Sequence, residues 1–474
     1  MPRRSSVLRK RRPGTPWATP PSKAYALLAL LAATLALTGC DPKGRTRTTP
    51  TTSQPTRPTP PTAPPTTRPE LPSEDDVRGG EVALDSLDPS GIPDVDLPAG
   101  PNGAVVSLLL PTFGDRFAGV TLPQNAQWGL GYYAGVRLAL EELERAGERG
   151  TVHVFDTRGD VGATQALMRD PDLRTSHAVI GPYLTETARA AATVGQGLRI
   201  PLVVPYSAAS NLADDYPRLV QLNPGLLRHL DAIAAYLHDN YLPEQVVLVG
   251  LPTGEQNREV AYLQARHREL DPAAPAWRTW QLGTADVGMQ DLEWEGKFVD
   301  DGGETVFVFP ISRRPRVVLS FLSQLQIGRA GRDATVFGMP QWSGFDQLDP
   351  TVLEDLGVLI TAGLHVDEDD PAVRRFRDSY IDRYGALPEL AAYLGYDAMR
   401  LVLPLANQHG RDWVSHLGDD GFDGLASDYR LVPVAGDNGG AAAERTAAKR
   451  YENAAVRVLR YEDYRFAPVD TPRD

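Results

Sequence analysis

Short apolar segments alternate with helix-period segments along most of the chain, and this alternation limits the fold more than any other feature. The apolar segments are rich in Val and Leu, as in Ala104–Leu110 and Val246–Gly250. Continuous apolar strands indicate burial on both faces, which is typical of a parallel sheet covered by helices. Between two of them, Tyr132–Ala146 carries apolar residues at the spacing of one helical face. We therefore predict an α/β protein with right-handed crossovers.

The same patterns give the positions of the individual elements. The predicted strands are 104–110, 152–156, 178–180, 202–205, 246–250, 305–309, 335–338 and 358–362. The predicted helices are 132–146, 185–195, 226–240, 256–269, 316–326 and 371–384. About 360 residues take part, which is more than one such sheet usually needs, so the pattern predicts two lobes.

The first 39 residues have the pattern of a secretory signal. Seven basic residues and no acid precede an apolar run, Ala24–Leu37, which is shorter than the roughly 20 residues that span a bilayer. The run ends in Leu37-Thr38-Gly39-Cys40, which resembles the lipobox of bacterial lipoproteins. That resemblance implies cleavage before Cys40 and acylation of its thiol and new amino group. We predict a periplasmic protein of the cell envelope, anchored to a membrane by this lipid; the alternative is an ordinary buried thiol.

A spacer follows the predicted anchor. Residues 41–76 hold ten prolines and ten threonines and no apolar periodicity, so they cannot bury a core and are typical of an extended, disordered tether. Residues 77–103 are acidic with Gly and Pro. We predict that 40–103 is the lipidated cysteine and its linker, and that folding starts at Ala104.

Signals for enzyme chemistry are weak. The net charge of −13 argues against a nucleic-acid partner, and one cysteine excludes a disulfide framework or a zinc site of several thiolates. Gly129-x-Gly131-x3-Gly135 has one residue too many for a dinucleotide fingerprint and does not directly follow a strand. No nucleophile elbow and no metal-ligand spacing occur. We predict a non-enzymatic protein without cofactor or metal.

The order of the pieces resembles that of a type 1 periplasmic binding protein, the leucine/isoleucine/valine-binding kind. The resemblance runs over residues 104–405. Its fragments are Leu110–Gly114, Gly135–Leu140, Ile180–Pro182, Arg199–Pro205, Gln221–Pro224, Phe376–Pro388 and Gly395–Ala398. A narrower likeness, in Phe337–Trp342 and Asn453–Tyr461, is to a Bacteroidetes-type subfamily of envelope lipoproteins.

The resemblance implies two Rossmann-like lobes joined by three crossover segments, near Pro224, Gly363 and Gly421. Lobe 1 would then comprise 104–224 with 364–420, and lobe 2 would comprise 225–363 with 421–468. Open α/β sheets bind ligands beyond the carboxyl ends of their strands. A ligand is therefore expected between the lobes, in a cleft that closes by hinge motion.

In that family a helix start and hydroxyls in the first lobe hold an α-carboxylate. The resemblance places Thr185 at the hydroxyl position, where the helix dipole also favours an anion; the alternative is a plain helix cap. Ser207 matches a small residue of the next loop, whereas Ala208 replaces a Thr that helps hold the ammonium. Residues 339–342 lack the acid that many relatives place there.

Aromatic residues near strand ends suggest a wider cleft. Tyr183, Tyr206, Trp342 and His365 are the candidates, and the alternative for each is packing. We expect a small ligand, amino-acid-like or larger, and an ABC permease as the partner. The second hypothesis is an envelope lipoprotein that regulates a peptidoglycan synthase through protein contacts, and a sensor subunit is a third.

Overall fold

The computed structural model describes eight ranges of the chain, all within the compact unit of residues 71–474. The described ranges are 102–114, 123–213, 215–251, 256–283, 292–300, 302–418, 421–434 and 449–469. The predicted signal peptide over 1–39, the lipidation at Cys40 and the linker over 41–101 lie outside the described residues. In the described ranges no helix is both long and apolar enough to cross a bilayer.

The described residues form sixteen strands and ten α-helices. The strands are β1 (Ala104–Leu110), β2 (Gly150–Asp156), β3 (Ala178–Ile180), β4 (Leu202–Val204), β5 (Leu219–Gln221), β6 (Val246–Gly250), β7 (Arg278–Gln281), β8 (Thr305–Val308), β9 (Ala334–Phe337), β10 (Leu359–Ala362), β11 (Phe422–Asp423), β12 (Asp428–Tyr429), β13 (Leu431–Val434), β14 (Arg450–Asn453), β15 (Arg457–Glu462) and β16 (Arg465–Pro468). The helices are α1 (Gln124–Arg145), α2 (Val161–Met168), α3 (Pro171–Arg174), α4 (Thr185–Leu198), α5 (Leu226–Asn240), α6 (Gln256–Leu270), α7 (Pro315–Gly328), α8 (Pro350–Asp355), α9 (Pro371–Tyr384) and α10 (Leu390–His409).

Two seven-stranded sheets organise the molecule. The first has the order β13-β14-β5-β4-β3-β1-β2, and only β13 and β14 pair antiparallel. The second has the order β16-β15-β10-β9-β8-β6-β7, with antiparallel pairs only at β10–β15 and β15–β16. Strands β11 and β12 form a separate hairpin. This architecture confirms the prediction of two Rossmann-like α/β lobes.

Side chains of the first sheet alternate between two separate cores. In β1, Val106 and Leu108 join the core that contains α1, α9 and α10. Leu109, which follows Leu108, points to the opposite face and joins the core that contains α2 and α4. Because both faces are covered by helices, nearly every residue of β1 is buried, which is why the strand reads as one apolar run.

Glycines bring α1 and α10 into close contact. A Cβ on Gly135 would lie 1.8 Å from the carbonyl oxygen of Ala392, and one on Gly395 would lie 2.1 Å from that of Tyr132. At Gly131 the nearest atom is the Cβ of Ala391, at 3.7 Å. Of the glycines in the spacing that resembles a dinucleotide fingerprint, close helix packing therefore explains Gly135 but not Gly131.

The chain changes lobe three times. It leaves the first sheet after β5, returns from the second sheet after β10, and leaves the first sheet again between β14 and β15. The third change occurs at residues 454–456, and the predicted crossing near Gly421 is wrong, since β13 and β14 complete the first sheet beside β5. Gly421, at φ +74°, marks the turn into the β11–β12 hairpin instead.

Asn453 ties these connections together and is fully buried. Its Nδ2 donates to the carbonyl of Leu222 and to Oγ of Ser427, both at 3.1 Å. Its Oδ1 accepts the backbone N–H groups of Arg430 and Ala455, both at 3.0 Å. All four bonds of the amide link the first crossing, the hairpin region and the third crossing.

The β11–β12 hairpin is held to the first lobe by Asp397 of α10. The buried carboxylate accepts N–H bonds from Leu425 and Ala426, at 2.7 and 2.8 Å, and the hydroxyl of Tyr429 at 3.1 Å. Burial raises the pKa of Asp397 to about 6, although these hydrogen bonds oppose the rise. The loop 424–427 therefore belongs mechanically to the first lobe.

His229 of α5 lies between the first and second crossings and is buried. Its Nδ1 is 2.9 Å from Oγ1 of Thr361 on β10. Burial lowers the pKa of His229 to about 4, and a hydrogen bond with the backbone of Pro224 opposes only part of this effect. The native state therefore holds this imidazole neutral at neutral pH.

A pH dependence of stability follows from His229. The unfolded chain takes up a proton near pH 6.5, whereas the folded chain does so only near pH 4. The contribution of the neutral imidazole to the free energy of unfolding is therefore fully present above pH 6.5. It is lost as the pH drops towards 4, and the loss amounts to about 3 kcal/mol. In urea unfolding we expect the free energy of unfolding of the His229→Gln variant to lack this pH-dependent loss. The difference in unfolding free energy between the variant and wild type should therefore change with pH.

The difference between the two proteins isolates His229, because Asp397 titrates in both. The raised pKa of Asp397 acts in the opposite direction, lowering stability as the pH rises from about 4 to about 6. Parallel stability profiles for wild type and His229→Gln between pH 7 and pH 4 would contradict the assignment.

Candidate functional site

Two hydroxyls predicted from the sequence meet at the carboxyl edge of the first sheet. Thr185 is the first residue of α4, five residues beyond the end of β3, and Ser207 follows the end of the neighbouring parallel strand β4. Their oxygen atoms are 2.8 Å apart. Ser207 is buried and Thr185 half-buried. Adjacent parallel strands therefore bring both side chains to one point.

The start of α4 leaves backbone donors available. The residue that caps the helix is Leu184, which has no side-chain acceptor, so Thr185 is the first helical residue and not the cap. The hydroxyl of Thr187 donates to the carbonyl of Leu184 at 3.0 Å. First-turn N–H groups carry partial positive charge, and next to two hydroxyls they suit a carboxylate. Glu186, the one acidic residue of this turn, is exposed.

Two aromatic residues, Tyr183 and Tyr206, lie close to the two hydroxyl residues in sequence, and their rings pack with that of Trp128. Tyr183 stacks on Trp128 with ring centroids 3.8 Å apart and planes at 15°. Tyr206 is tilted against both, with centroids 6.1 Å from Tyr183 and 6.2 Å from Trp128. We call Trp128, Tyr183 and Tyr206 the aromatic wall. Trp128 and Tyr206 are half-buried, so the wall keeps surface that a ligand can contact.

The hydroxyls of the wall stay neutral. Burial, with a contribution from Tyr206, raises the pKa of Tyr183 to about 12, and burial raises the pKa of Tyr206. The Tyr183 hydroxyl donates to Oδ1 of Asn125. Both groups therefore offer uncharged polar edges and no negative charge that would repel an anion.

The sequence reasoning missed Trp128 and Asn125. Helix α1 begins at Gln124, eight residues before the predicted start. Trp128 lies one helical turn before Tyr132, on the face already marked by the apolar spacing, and their rings are 5.1 Å apart. Extending the periodic pattern by one turn would have found it.

Asp156 at the end of β2 fixes the loop that follows β1. Its carboxylate accepts four backbone N–H bonds, from Thr112, Phe113, Gly114 and Arg158, at 2.9 to 3.0 Å. Burial acts to raise the pKa of Asp156, but these donors outweigh it, and the pKa lies below its ordinary value. The Pro-x-x-Gly loop after β1 is thus held by a charged anchor.

Trp342 lies in the core of the second lobe and not at the predicted cleft. Its side chain is 1% exposed, and its Nε1 donates to the carbonyl of Ile311 at 2.7 Å. The ring covers Gly338, where a Cβ would lie 2.3 Å from a ring carbon. The end of a strand fixes where a residue lies but not the direction of its side chain, and the ring of Trp342 points into the core.

His365 lies at the junction of the lobes. It follows β10 in the second crossing, and its backbone N–H donates to the carbonyl of Ala426 at 2.8 Å. The imidazole lines a small pocket that also includes Ser427 and Arg457, but neither Thr185 nor Ser207. Burial and then Arg457 lower the pKa of His365. The structure therefore separates His365 from the hydroxyl pair.

Comparisons with known proteins bear on the fold. No protein-family model matches the chain, and no curated protein matches it in sequence. Several solved structures match the chain in fold. A candidate branched-chain amino acid ABC transporter protein from Rhodospirillum rubrum matches with a TM-score of 0.55 and 17% identity, over 77% of this chain and 100% of that one.

Two further structures agree. An ABC transporter substrate-binding protein from Desulfitobacterium hafniense, in complex with leucine, has a TM-score of 0.52 and 16% identity, over 77% of this chain and 100% of that one. A branched-chain amino acid ABC transporter periplasmic ligand-binding protein from Burkholderia xenovorans has a TM-score of 0.53 and 13% identity, over 77% and 94%. These likenesses show the two-lobed type 1 periplasmic binding protein fold.

Proposed function

We propose that this protein is a lipid-anchored extracytoplasmic solute-binding protein that holds a small carboxylate-bearing solute between its lobes and presents it to an ABC permease. The observation that carries the proposal is the Thr185–Ser207 hydroxyl pair, 2.8 Å apart at the start of α4. The solved structures of the same fold that match this chain include a substrate-binding protein with bound leucine.

The hydroxyl pair suits a carboxylate for a simple reason. Each hydroxyl has one hydrogen to donate, and the two hydroxyls are hydrogen-bonded to each other. A carboxylate offers two oxygens and accepts both hydrogens, together with N–H groups of the α4 first turn. Such charge-assisted bonds are about twice as strong as neutral ones.

The body of the solute would lie against the aromatic wall. Trp128 and Tyr206 keep exposed surface there, which favours an apolar or planar group. Ala208 offers no hydroxyl to an ammonium group, and Met339 and Trp342 are buried in the second lobe. An ammonium without partners would be costly to bury, so we propose an amino-acid-like or larger acid in which the carboxylate and the body carry the recognition.

The membrane anchor is proposed from the sequence. Acylation of Cys40 and the Pro- and Thr-rich spacer would let the folded body reach a permease from the membrane surface. The likeness of Phe337–Trp342 and Asn453–Tyr461 to a Bacteroidetes-type lipoprotein subfamily supports the same placement. Mass spectrometry of the mature protein would test it, because a diacyl or triacyl modification on an N-terminal Cys40 is the expected product.

The ligand site is tested by Thr185→Val, which removes one hydroxyl and keeps the shape. Calorimetry with leucine, phenylalanine, dipeptides, muropeptide fragments and benzoate would first identify a ligand. Loss of one hydrogen bond to a charged group costs about 1.5–3 kcal/mol, so we expect the Kd to rise about 10-fold to 100-fold.

Thr193→Val is the matched control, since it makes the same change near the other end of α4, where the hydroxyl donates only to the carbonyl of Arg189. Its Kd should stay within about twofold of wild type. Equal affinities of Thr185→Val and wild type for every ligand found would exclude the hydroxyl pair as the site.

The second candidate is an envelope lipoprotein that regulates a peptidoglycan synthase by surface contact. The absence of a hydroxyl at Ala208 and the burial of Trp342 favour it, because they remove groups expected of a zwitterion site. Crosslinking in cells separates the two. Recovery of permease subunits would support transport, whereas recovery of a synthase together with no stabilisation by any solute would support regulation.

A further inference from the structure

The junction of the lobes contains a small pocket of its own. It has a volume of about 40 Å³ and is lined by residues that include His365, Ser427, Asp428, Arg430, Val456 and Arg457. We call it the hinge pocket. No residue of the hydroxyl pair or of the aromatic wall lines it, so its chemistry is separate from the proposed solute site.

The lining is cationic. Two guanidinium groups, Arg430 and Arg457, accompany one carboxylate, Asp428, which Arg457 already binds at 2.6 Å. Within the described part of the chain the side chain of Arg430 has neither an ion pair nor a hydrogen-bond partner, and the imidazole of His365 has no hydrogen-bond partner. Asp367 acts on His365 from two residues further along, outside the lining. The pocket therefore presents a free guanidinium and a free imidazole to its contents.

A buried hydroxyl adds a further donor. Ser427 is 7% exposed, and its Oγ accepts from Nδ2 of Asn453 at 3.1 Å. Its own hydrogen has no acceptor in the described contacts, although the residue lines the pocket. Buried donors are normally satisfied, so an acceptor in the pocket would complete this group.

We propose that the hinge pocket binds a small free oxyanion of the phosphate class, held by Arg430, Arg457, His365 and the hydroxyl of Ser427. Guanidinium groups bind such anions by paired N–H donors. Ser427 and Asp428 belong to the hairpin region that Asp397 fixes to the first lobe, and Arg457 is the first residue of β15 in the second sheet. An oxyanion there contacts both lobes and stabilises the lobe angle at which the two sides converge.

Inorganic phosphate is the probe, titrated by calorimetry against the folded protein at constant ionic strength. Wild type should bind phosphate saturably with a 1:1 stoichiometry. Arg430→Gln should weaken this binding at least tenfold, because the exposed side chain leaves the fold intact while the free guanidinium is lost. Arg268→Gln removes the same charge from an exposed position on α6, and it should bind phosphate like wild type.

Three results would overturn the proposal. They are absence of saturable binding to wild type, equal weakening by Arg430→Gln and Arg268→Gln, and loss of phosphate binding in Thr185→Val. The last would place phosphate at the solute site. Retention of phosphate binding in Thr185→Val, together with loss in Arg430→Gln, supports the hinge pocket whether or not the proposed solute is found.

Discussion

Gly135→Ala is expected to lower the free energy of unfolding by about 3 kcal/mol or more, the upper part of the range for overpacking. The new Cβ would lie 1.8 Å from the carbonyl oxygen of Ala392, well inside van der Waals contact. The clash is with backbone, which has no rotamer to change, and α10 is itself buried along most of its length. Relief therefore requires α1 and α10 to move apart and open the core. Thermal and urea unfolding measure the loss.

Gly131→Ala provides the control one turn earlier on the same helix. Its Cβ would make an ordinary contact, 3.7 Å from the Cβ of Ala391, and alanine is a better helix former than glycine by about 1 kcal/mol. We therefore expect Gly131→Ala to be neutral or to stabilise. If both variants lose the same stability, the effect is not due to close packing at Gly135.

Asn453→Asp is expected to destabilise the protein by about 3 kcal/mol, since desolvating a carboxylate costs several kcal/mol and the two N–H bonds that Oδ1 already accepts offset only part of this cost. The substitution keeps the shape of a fully buried side chain but replaces the donating amide by a second oxygen. That oxygen faces the carbonyl of Leu222 and Oγ of Ser427, both now at 3.1 Å from the amide nitrogen. The new carboxylate oxygen would then face the carbonyl oxygen of Leu222 without a hydrogen between them, and the negative charge of the carboxylate would be buried. Chemical unfolding near pH 7 tests this.

The same substitution at an exposed site separates the charge from the burial. Asn240 ends α5, is exposed and donates to the carbonyl of Tyr236. Asn240→Asp should cost no more than about 1 kcal/mol, mainly from a negative charge at a helix carboxyl end. A loss at Asn453 no larger than that at Asn240 would argue that the crossings are not joined through this amide.

Elements with local signals were predictable from the sequence. Helix α9 begins after Asp370, whose side chain accepts from Ala372, has Pro371 in its first turn, and ends at Gly385 with φ +68°. These signals are contained in the sequence itself, and the predicted bounds agree with the structure. Strands β1 and β6 also begin and end where their apolar runs do.

Long-range pairing was not predictable in the same way. Nothing in Arg450–Asn453 identifies its partner, which is β5 of the first sheet, so the third crossing was misplaced. Trp342 follows a strand end, as a cleft residue would, yet its ring packs into the core over Gly338. Thr185 and Ser207 were identified through the family resemblance, and they meet because they follow two neighbouring parallel strands, β3 and β4.

The position of β14 has a consequence for the order of events during folding. Asn453 contacts Leu222 across 231 positions of the chain, and β14 separates β13 from β5. Until this segment has docked, the first sheet has no β14 and β13 has no neighbour. The second sheet likewise waits for β15 and β16, which come after β14. Both sheets are therefore completed only by strands β14, β15 and β16, within residues 450–468, and because these segments must be brought to distant partners, their docking is intrinsically slow.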